Sequence, residues 1–223
     1  MIITSITKQK KSKRYNIFLD GEFSFGVSET VLTQFHLQEG QTIFQELISK
    51  IQDEELWTVT KLYVLRLLAR TMRTEFEIRN KLKKRNITEE MISRKITWLY
   101  EHKFLNDEHY SQTFVTSKLH RKHTSKKLLQ QQLRTKGIPS QIINTSLKAI
   151  TGEIEIGNAM LIAEKKVNQL SNSHRVATLE MRRRRVGEFL VRKGFSYDIV
   201  KKVLRKYFSV SEYPQYDDES NLR

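Results

Sequence analysis

The chain of 223 residues contains 40 Lys and Arg against 25 Asp and Glu, which gives a formal net charge of +15, and it contains no cysteine. The lack of cysteine excludes a disulfide framework, a thiol nucleophile and a cysteine-based zinc site, and it is typical of a cytoplasmic protein in a reducing compartment. With only 8 glycines and 2 prolines the composition favours long helices over a β-sandwich or barrel, and no apolar stretch is long enough to span a membrane.

The first elements of the chain are predicted to be strands. The dipeptide Asp20-Gly21 lies between two apolar runs and is typical of a hairpin turn in which both central residues adopt positive φ. Such a turn pairs Phe18 with Phe23 and Asn16 with Phe25, and predicts three aromatic rings on one face of the hairpin. That face is either the core side of a small sheet, the interpretation we favour, or a base-stacking platform for single-stranded nucleic acid.

Two helices are predicted to complete this N-terminal module, residues 1–52. Ser28 is the expected N-cap of the first, short helix. Thr42 and Gln45 form a capping-box pattern that begins a second helix, expected to end at Ile51.

The rest of the chain contains a three-helix unit that occurs three times. The repetition is clearest at Asn86, Gly137 and Gly194, each of which follows a basic helix end and precedes an apolar residue. Asn and Gly best tolerate the left-handed conformation that ends many helices. Thr74 and Ser125 align as N-caps of the second helix, and Thr74 heads a capping box.

We therefore predict a mainly α protein in which three tandem three-helix repeats form an elongated, curved array behind the small N-terminal β-hairpin module. Each repeat is too small to be robust alone, so neighbouring repeats are expected to bury its remaining faces. The expected boundaries are residues 1–52 for the N-terminal β-hairpin and short-helix module, 53–105 for repeat one, 106–151 for repeat two, 152–208 for repeat three with extra residues near 170–176, and 209–223 for an acidic flexible tail.

The positive charge is concentrated in the repeats. Residues 1–58 carry a net charge of −2, residues 59–208 carry +20 and residues 209–223 carry −3. A field of this kind indicates a polyanionic partner, with nucleic acid ahead of an acidic protein surface or membrane headgroups. A surface charged only for solubility is the alternative, although a neutral balance of charges would serve solubility as well.

Twelve basic residues are the candidate contacts to nucleic acid or to a nucleoprotein filament: Arg66, Arg70, Arg73, Arg121, Lys122, Lys126, Lys127, Arg182, Arg183, Lys201, Lys202 and Arg205. The first three fall at i, i+4 and i+7 and predict one stripe on the first helix of repeat one. The four from repeat two are predicted to straddle a helix junction, where free N–H groups also favour phosphate. The others lie in repeat three, on its last helix and in the run Arg182–Arg185, where at least one arginine is expected to pack its stem or to pair with Glu180 or Glu188. A solvated face is the alternative for any single cation.

Enzymatic chemistry finds little support in the sequence. No glycine-rich phosphate loop with a following Lys and Thr or Ser occurs, and no cluster of acids suits Mg²⁺. His120 and His123 stand at i, i+3 without a third ligand at suitable spacing, so we expect no metal site and no cofactor. Trp57 and Trp98 fall at apolar positions of their helices and are interpreted as core residues rather than as stacking platforms.

Four segments of the repeats resemble the RecX family of bacterial recombinase regulators. They are, in order, Arg70–Thr74 with Ile78, Leu105–Tyr110, Gln132–Ile138 and Gly187–Asp198. The hairpin and the following Phe23–Glu29 resemble the N-terminal extension of the Gram-positive members. The sequence departs from the family pattern at Asn86, where a glycine is usual, and at Arg121–Thr124, which lacks a glycine. Asn also tolerates the left-handed conformation, so the departures leave the expected fold intact.

The resemblance implies a non-enzymatic protein that binds the RecA filament on single-stranded DNA. It implies that the protein damps ATP hydrolysis and strand exchange and promotes filament disassembly, in recombinational repair and the SOS response. RecA and single-stranded DNA are therefore the expected partners of a cytoplasmic monomer, and duplex DNA is a further candidate. The alternative is a general basic helical-repeat protein that binds nucleic acid without a specific protein target.

Overall fold

The structure is a computed structural model that describes residues 1–10, 13–171 and 178–208, except for the side chain of Lys122. The predicted tail at 209–223 and most of the predicted insertion near 170–176 lie outside the described residues. The chain divides into two compact units, Met1–Asn106 and Asp107–Arg223, which are described one after the other.

The first unit begins with a three-stranded antiparallel sheet in the order β1-β2-β3. Its strands are β1 (Ile3–Lys8), β2 (Arg14–Leu19) and β3 (Glu22–Ser28). Asp20 and Gly21 form the turn between β2 and β3 with φ angles of 50° and 93°. Both angles are positive, so the turn predicted from the Asp-Gly dipeptide is confirmed.

The register of the hairpin differs from the predicted one. Phe18 lies opposite Phe23 as expected, but the register then shifts and places Phe25 opposite Ile17 instead of Asn16. An extra residue in one strand moves the following side chains to the other face of the sheet. Ile17 and Phe25 are buried whereas Phe23 is 59% exposed, so the prediction of three aromatic rings on one face is wrong.

Helix α1 (Glu29–Gln34) follows β3 directly. The side chain of Ser28 accepts a hydrogen bond from the Val31 N–H, which confirms the predicted N-cap. Val31 itself is fully buried and packs this short helix against the sheet.

Helix α2 (Gln45–Arg70) joins the N-terminal module to repeat one as a single helix of 26 residues. The predicted capping box at Thr42 is wrong, because Phe44 stands at the N-cap and Thr42 bridges to Ile2 through its backbone. The predicted end at Ile51 is also wrong, since neither glycine nor proline interrupts the helix. The helix therefore runs through the expected boundary between residues 52 and 53.

Repeat one consists of the end of α2 with α3 (Glu75–Lys83) and α4 (Glu89–Glu101). The first unit thus holds two apolar clusters, one beneath the sheet and one inside repeat one. The fully buried residues of the first include Ile3, Ile17, Val27, Val31 and Ile51, and those of the second include Val64, Ile78, Leu82, Ile92 and Leu99.

The second unit contains repeats two and three. Repeat two is formed by α5 (Asp107–Lys122), α6 (Lys126–Thr135) and α7 (Ser140–Ser146), and repeat three by α8 (Gly152–Ser171), α9 (Leu179–Arg192) and α10 (Tyr197–Phe208). Each repeat again has its own apolar cluster. The chain is therefore mainly helical, with three three-helix repeats behind a small sheet, as predicted.

The second helix ends in the same way in all three repeats. Asn86, Gly137 and Gly194 have φ angles of 58°, 74° and 84°, which confirms the predicted left-handed positions. The N–H of the next residue donates back to a carbonyl five residues earlier in each case: Ile87 to Leu82, Ile138 to Leu133 and Phe195 to Leu190. These bonds satisfy carbonyls that a helix end would leave free. The predicted capping box at Thr74 and the N-cap at Ser125 are confirmed as well.

Candidate nucleic-acid interface

The predicted arginine stripe of repeat one is interrupted. Arg66 and Arg70 are exposed in the last turns of α2. Thr71 then adopts an extended conformation with φ −165°, so Arg73 lies beyond the helix and the prediction of one stripe through all three residues is wrong. Arg73 is partly buried, and its buried Nε makes no hydrogen bond.

The predicted cations of repeat two do lie at a helix junction, between α5 and α6. Arg121, Lys126 and Lys127 have exposed side chains, while that of Lys122 lies outside the described residues. The expectation of free N–H groups fails at the start of α6, because the Lys126 N–H donates to Glu155 Oε1 at 3.0 Å. A carboxylate thus occupies the position that the helix N-terminus offers to an anion.

The predicted cations of repeat three lie on α9 and α10. Arg182 is partly buried and interacts with other groups of the protein, whereas the side chain of Arg183 is exposed. The expected pairing of the arginine run occurs at Arg184, whose Nε lies 2.9 Å from Glu188 Oε1. The cations of α10 are exposed: Lys201, Lys202 and Arg205.

Repeats two and three enclose a cleft of about 240 Å³ whose wall is strongly basic. We call it the basic cleft; it is lined by Arg121, His123, Ile162, Lys165, Lys166, Gln169, Phe189 and Lys193. None of these lining residues is acidic. The amines of Lys166 and Lys193 lie 5.4 and 5.5 Å from the centre of the Phe189 ring, within the range of a cation–π contact. Four basic side chains and one aromatic ring therefore line the same cleft.

Two polar contacts hold the walls of the basic cleft together. The Ser125 hydroxyl donates to the Lys193 carbonyl at 2.6 Å and accepts from the Leu128 N–H at 3.1 Å. The buried amide of Asn158 donates to the Thr124 carbonyl at 3.4 Å. The start of α6 is thereby attached both to the end of α9 and to α8. These bonds connect the helices that carry the basic residues of the cleft.

Among the predicted contact residues whose side chains the structure describes, only Arg121 lines the basic cleft. Sequence reasoning missed His123, Lys165, Lys166 and Lys193, because helices from two repeats bring them together. One local signal existed for Lys193, which directly precedes the left-handed Gly194 and ends a helix. The other described candidates do not line the basic cleft.

Two further expectations concern the described residues as a whole. Within the ranges that the structure describes, no His, Cys, Asp and Glu side chains form a group of three that could hold a metal ion. In the same part of the chain no helix has the length and apolar character needed to cross a membrane.

The fold and the basic cleft define a helical-repeat protein built from basic three-helix modules. Family models place it more narrowly: the model of the regulatory protein RecX N-terminal domain matches residues 1–44, and those of the first, second and third three-helix domains of RecX match residues 61–99, 106–147 and 153–204. The chain belongs to the RecX family of regulatory proteins.

Relatives across the family match almost the whole chain. A regulatory protein RecX from Bacillus velezensis is 32% identical over 99% of this chain and 81% of its own length. One from Clostridium beijerinckii is 32% identical over 93% of this chain and 96% of its own. A crystal structure of regulatory protein RecX superposes with a TM-score of 0.70 at 29% identity, covering 91% of this chain and 98% of that one. The crystal structure of RecX from Lactobacillus salivarius gives 0.59 at 26% identity, over 67% and 95%.

Proposed function

We propose that this protein is a non-enzymatic regulator that binds the RecA filament on single-stranded DNA and inhibits its ATPase, strand exchange, and growth or persistence. It acts as a cytoplasmic monomer in recombinational repair and the SOS response. The RecA filament is the expected target because the chain belongs to a family named for regulation and resembles recombinase regulators. The basic cleft supports the mode of binding.

The basic cleft is the observation that carries this proposal. A pocket with four basic residues and no acidic lining residue attracts phosphates, and each phosphate contact releases counterions from the nucleic acid. Arg121, Lys165 and Lys193 come from three different helices, so the cleft favours a continuous polyanion that passes between repeats. A filament presents such a polyanion as a regular helical array.

The first experiment measures ATP turnover by purified RecA on single-stranded DNA while this protein is added. We expect inhibition at amounts well below one molecule per RecA subunit, because a regulator that stops filament growth acts at few sites. Inhibition only at concentrations that cover all the DNA would contradict the proposal and support the general nucleic-acid-binding alternative.

A matched pair of variants links the basic cleft to this activity. Arg121→Glu with Lys193→Glu is expected to lose inhibitory potency, since both side chains line the cleft. Lys8→Glu with Lys10→Glu makes the same change of charge at exposed positions in and after β1 and is expected to inhibit almost as well as the wild type. Equal loss in both variants would show that net charge alone matters.

A further inference from the structure

A second surface, in the first unit, combines stacked aromatic rings with cations. The Trp98 ring is its centre: the His102 ring stacks on it at 4.4 Å with an interplanar angle of 29°, and the Phe104 ring at 5.5 Å with 24°. Trp57 meets Trp98 edge to face at 6.4 Å. We call these four rings the aromatic stack.

The aromatic stack reaches the protein surface. Phe104 is 47% exposed and His102 is exposed, while Trp57 and Trp98 are partly exposed. The prediction that both tryptophans are core residues therefore holds only in part. Trp98 packs against the apolar cluster of repeat one, but both tryptophans are partly exposed. The Phe104 and His102 rings are therefore accessible to a ligand.

Cations accompany these rings closely. Lys61 Nζ lies 4.5 Å from the centre of Trp98, and Arg94 Cζ lies 5.3 Å from that of Trp57. Lys103, between His102 and Phe104, is exposed with a φ angle of 58°. The segments that carry the stack, residues 57–61 and 94–104, contain three cations that are not buried, Lys61, Arg94 and Lys103, and a single acid, Glu101. Glu54 stands just before the first segment.

We propose that the aromatic stack binds single-stranded nucleic acid by stacking a base on Phe104 or His102, with Lys61, Arg94 and Lys103 against the neighbouring phosphates. A flat ring bordered by positive charge complements a base that is flanked by phosphates. A duplex keeps its bases covered, and an apolar protein partner would leave the cations unpaired. This inference goes beyond the proposed function, because it requires a direct base contact without RecA.

The tryptophans provide a direct readout. The chain has 2 tryptophans, and both lie in the aromatic stack. We expect an oligothymidylate of about 15 nucleotides, within the span that one binding module covers, to quench their fluorescence to saturation in the absence of RecA. An abasic oligomer of equal length, which has phosphates but no bases, is expected to bind without this quenching, and a duplex to quench weakly.

Variants separate stacking from general attraction. Phe104→Ala is expected to weaken oligothymidylate binding about tenfold, within the range for loss of one stacked base, while Phe104→Tyr keeps the affinity. Phe44→Ala is the control, because Phe44 is 73% exposed outside the aromatic stack. Circular dichroism melting checks that each variant is folded.

The inference is overturned if oligothymidylate binds without quenching, if the duplex or the abasic oligomer quenches equally, or if Phe104→Ala binds as tightly as Phe44→Ala. These results are independent of the RecA assay. Quenching without inhibition of RecA would support base binding by the aromatic stack and contradict the proposed regulation. Inhibition without quenching would support the regulation and contradict base binding by the aromatic stack.

Discussion

Lys95 is a fully buried lysine in the interior of repeat one. Its Nζ donates to the Trp57 carbonyl at 3.0 Å and lies 3.0 Å from the centre of the Trp57 ring. Burial, together with the positive charges of Lys61 and Arg94, lowers the pKa of Lys95 from 10.5 to about 7, against the opposing effect of Glu54. The charged form is thus destabilised by the fold, and the cation–π contact offsets part of that cost.

This burial makes folding stability depend on pH. The unfolded chain keeps Lys95 protonated up to its ordinary pKa, so between pH about 7 and 10.5 it binds more protons at this site than the folded chain. The contribution of Lys95 to the free energy of unfolding should therefore rise with pH in that window, by up to about 1.4 kcal/mol per pH unit. The urea unfolding free energies of the wild type and Lys95→Met, compared from neutral to alkaline pH, measure it. A difference that stays constant with pH would contradict the prediction.

Glu55 is the residue of α2 that anchors the sheet. Its carboxylate lies 2.7 Å from Arg14 Nη1 and accepts the Ser28 N–H at 2.6 Å, and the residue is only 7% exposed. Glu55→Ala is expected to lower the free energy of unfolding by about 2 kcal/mol, because it leaves the Ser28 N–H without its acceptor and Arg14 without its ion-pair partner. Glu55→Gln should cost less, since its amide oxygen still accepts from Ser28. Urea unfolding checks both, with exposed Asp53→Ala as the control; equal losses in Glu55→Ala and Asp53→Ala would be inconsistent with the anchor.

At the scale of elements, the left-handed helix end of repeat three has a second role. Gly194 has a φ angle of 84°, and a Cβ there would come within 2.7 Å of Ser125 Oγ, the group that joins α6 to the Lys193 carbonyl. Gly40 has a nearly equal φ of 82°, and its Cβ would meet nothing within 4 Å. An alanine at either site bears the same backbone strain of about 1 kcal/mol.

Gly194→Ala should therefore destabilise the protein more than Gly40→Ala. The excess reports the loss of the contact between repeats two and three, because the backbone cost is common to both variants. Urea unfolding of the two variants gives this difference, and the hydrogen exchange of the α6 N–H groups locates it. Equal stability of the two variants would show that the Ser125 contact tolerates the extra methyl group.

The elements also show which features a single sequence can predict. The helix ends at Asn86, Gly137 and Gly194 were predictable because the left-handed conformation depends on a local residue preference that occurs three times. The start and length of α2 were not predictable. The sequence has a weak capping pattern at Thr42, but in the structure Thr42 pairs with Ile2 instead of capping the helix. The register of Phe25 depends on a bulge, and no residue type in the hairpin predicts that bulge.

The candidate surfaces were less predictable than the fold for a geometric reason. Exposed cations such as Lys201 are visible in the sequence as a charge pattern. The basic cleft joins Arg121 on α5, Lys165 on α8 and Lys193 at the end of α9, and their proximity follows from packing between repeats. The same holds for Phe104, whose exposure beside Trp98 depends on how the chain leaves α4. Composition therefore predicts a polyanionic partner. Tertiary packing forms the two surfaces, the basic cleft and the aromatic stack, where that partner is expected to bind.

At the scale of the molecule, the charge distribution predicts how binding depends on salt. The logarithm of the affinity for single strands falls with the logarithm of the salt concentration, by about 0.7 for each neutralised phosphate. Replacing Arg121, Lys165 and Lys193 with Gln should therefore weaken the binding of single-stranded DNA and reduce this slope by about 2. Fluorescence anisotropy of a labelled oligonucleotide between about 50 and about 200 mM salt measures the slope.

The control for this prediction removes the same charge elsewhere. Lys8, Lys10 and Lys13 are exposed near the edge of the sheet, and their triple Gln variant has the same net charge as the cleft variant. If the basic cleft contacts phosphates, the control keeps nearly the full slope, because counterion release depends on local contacts rather than on total charge. If both variants lose slope equally, the polyanion is attracted by the field of the whole chain, and the cleft has no special part in binding.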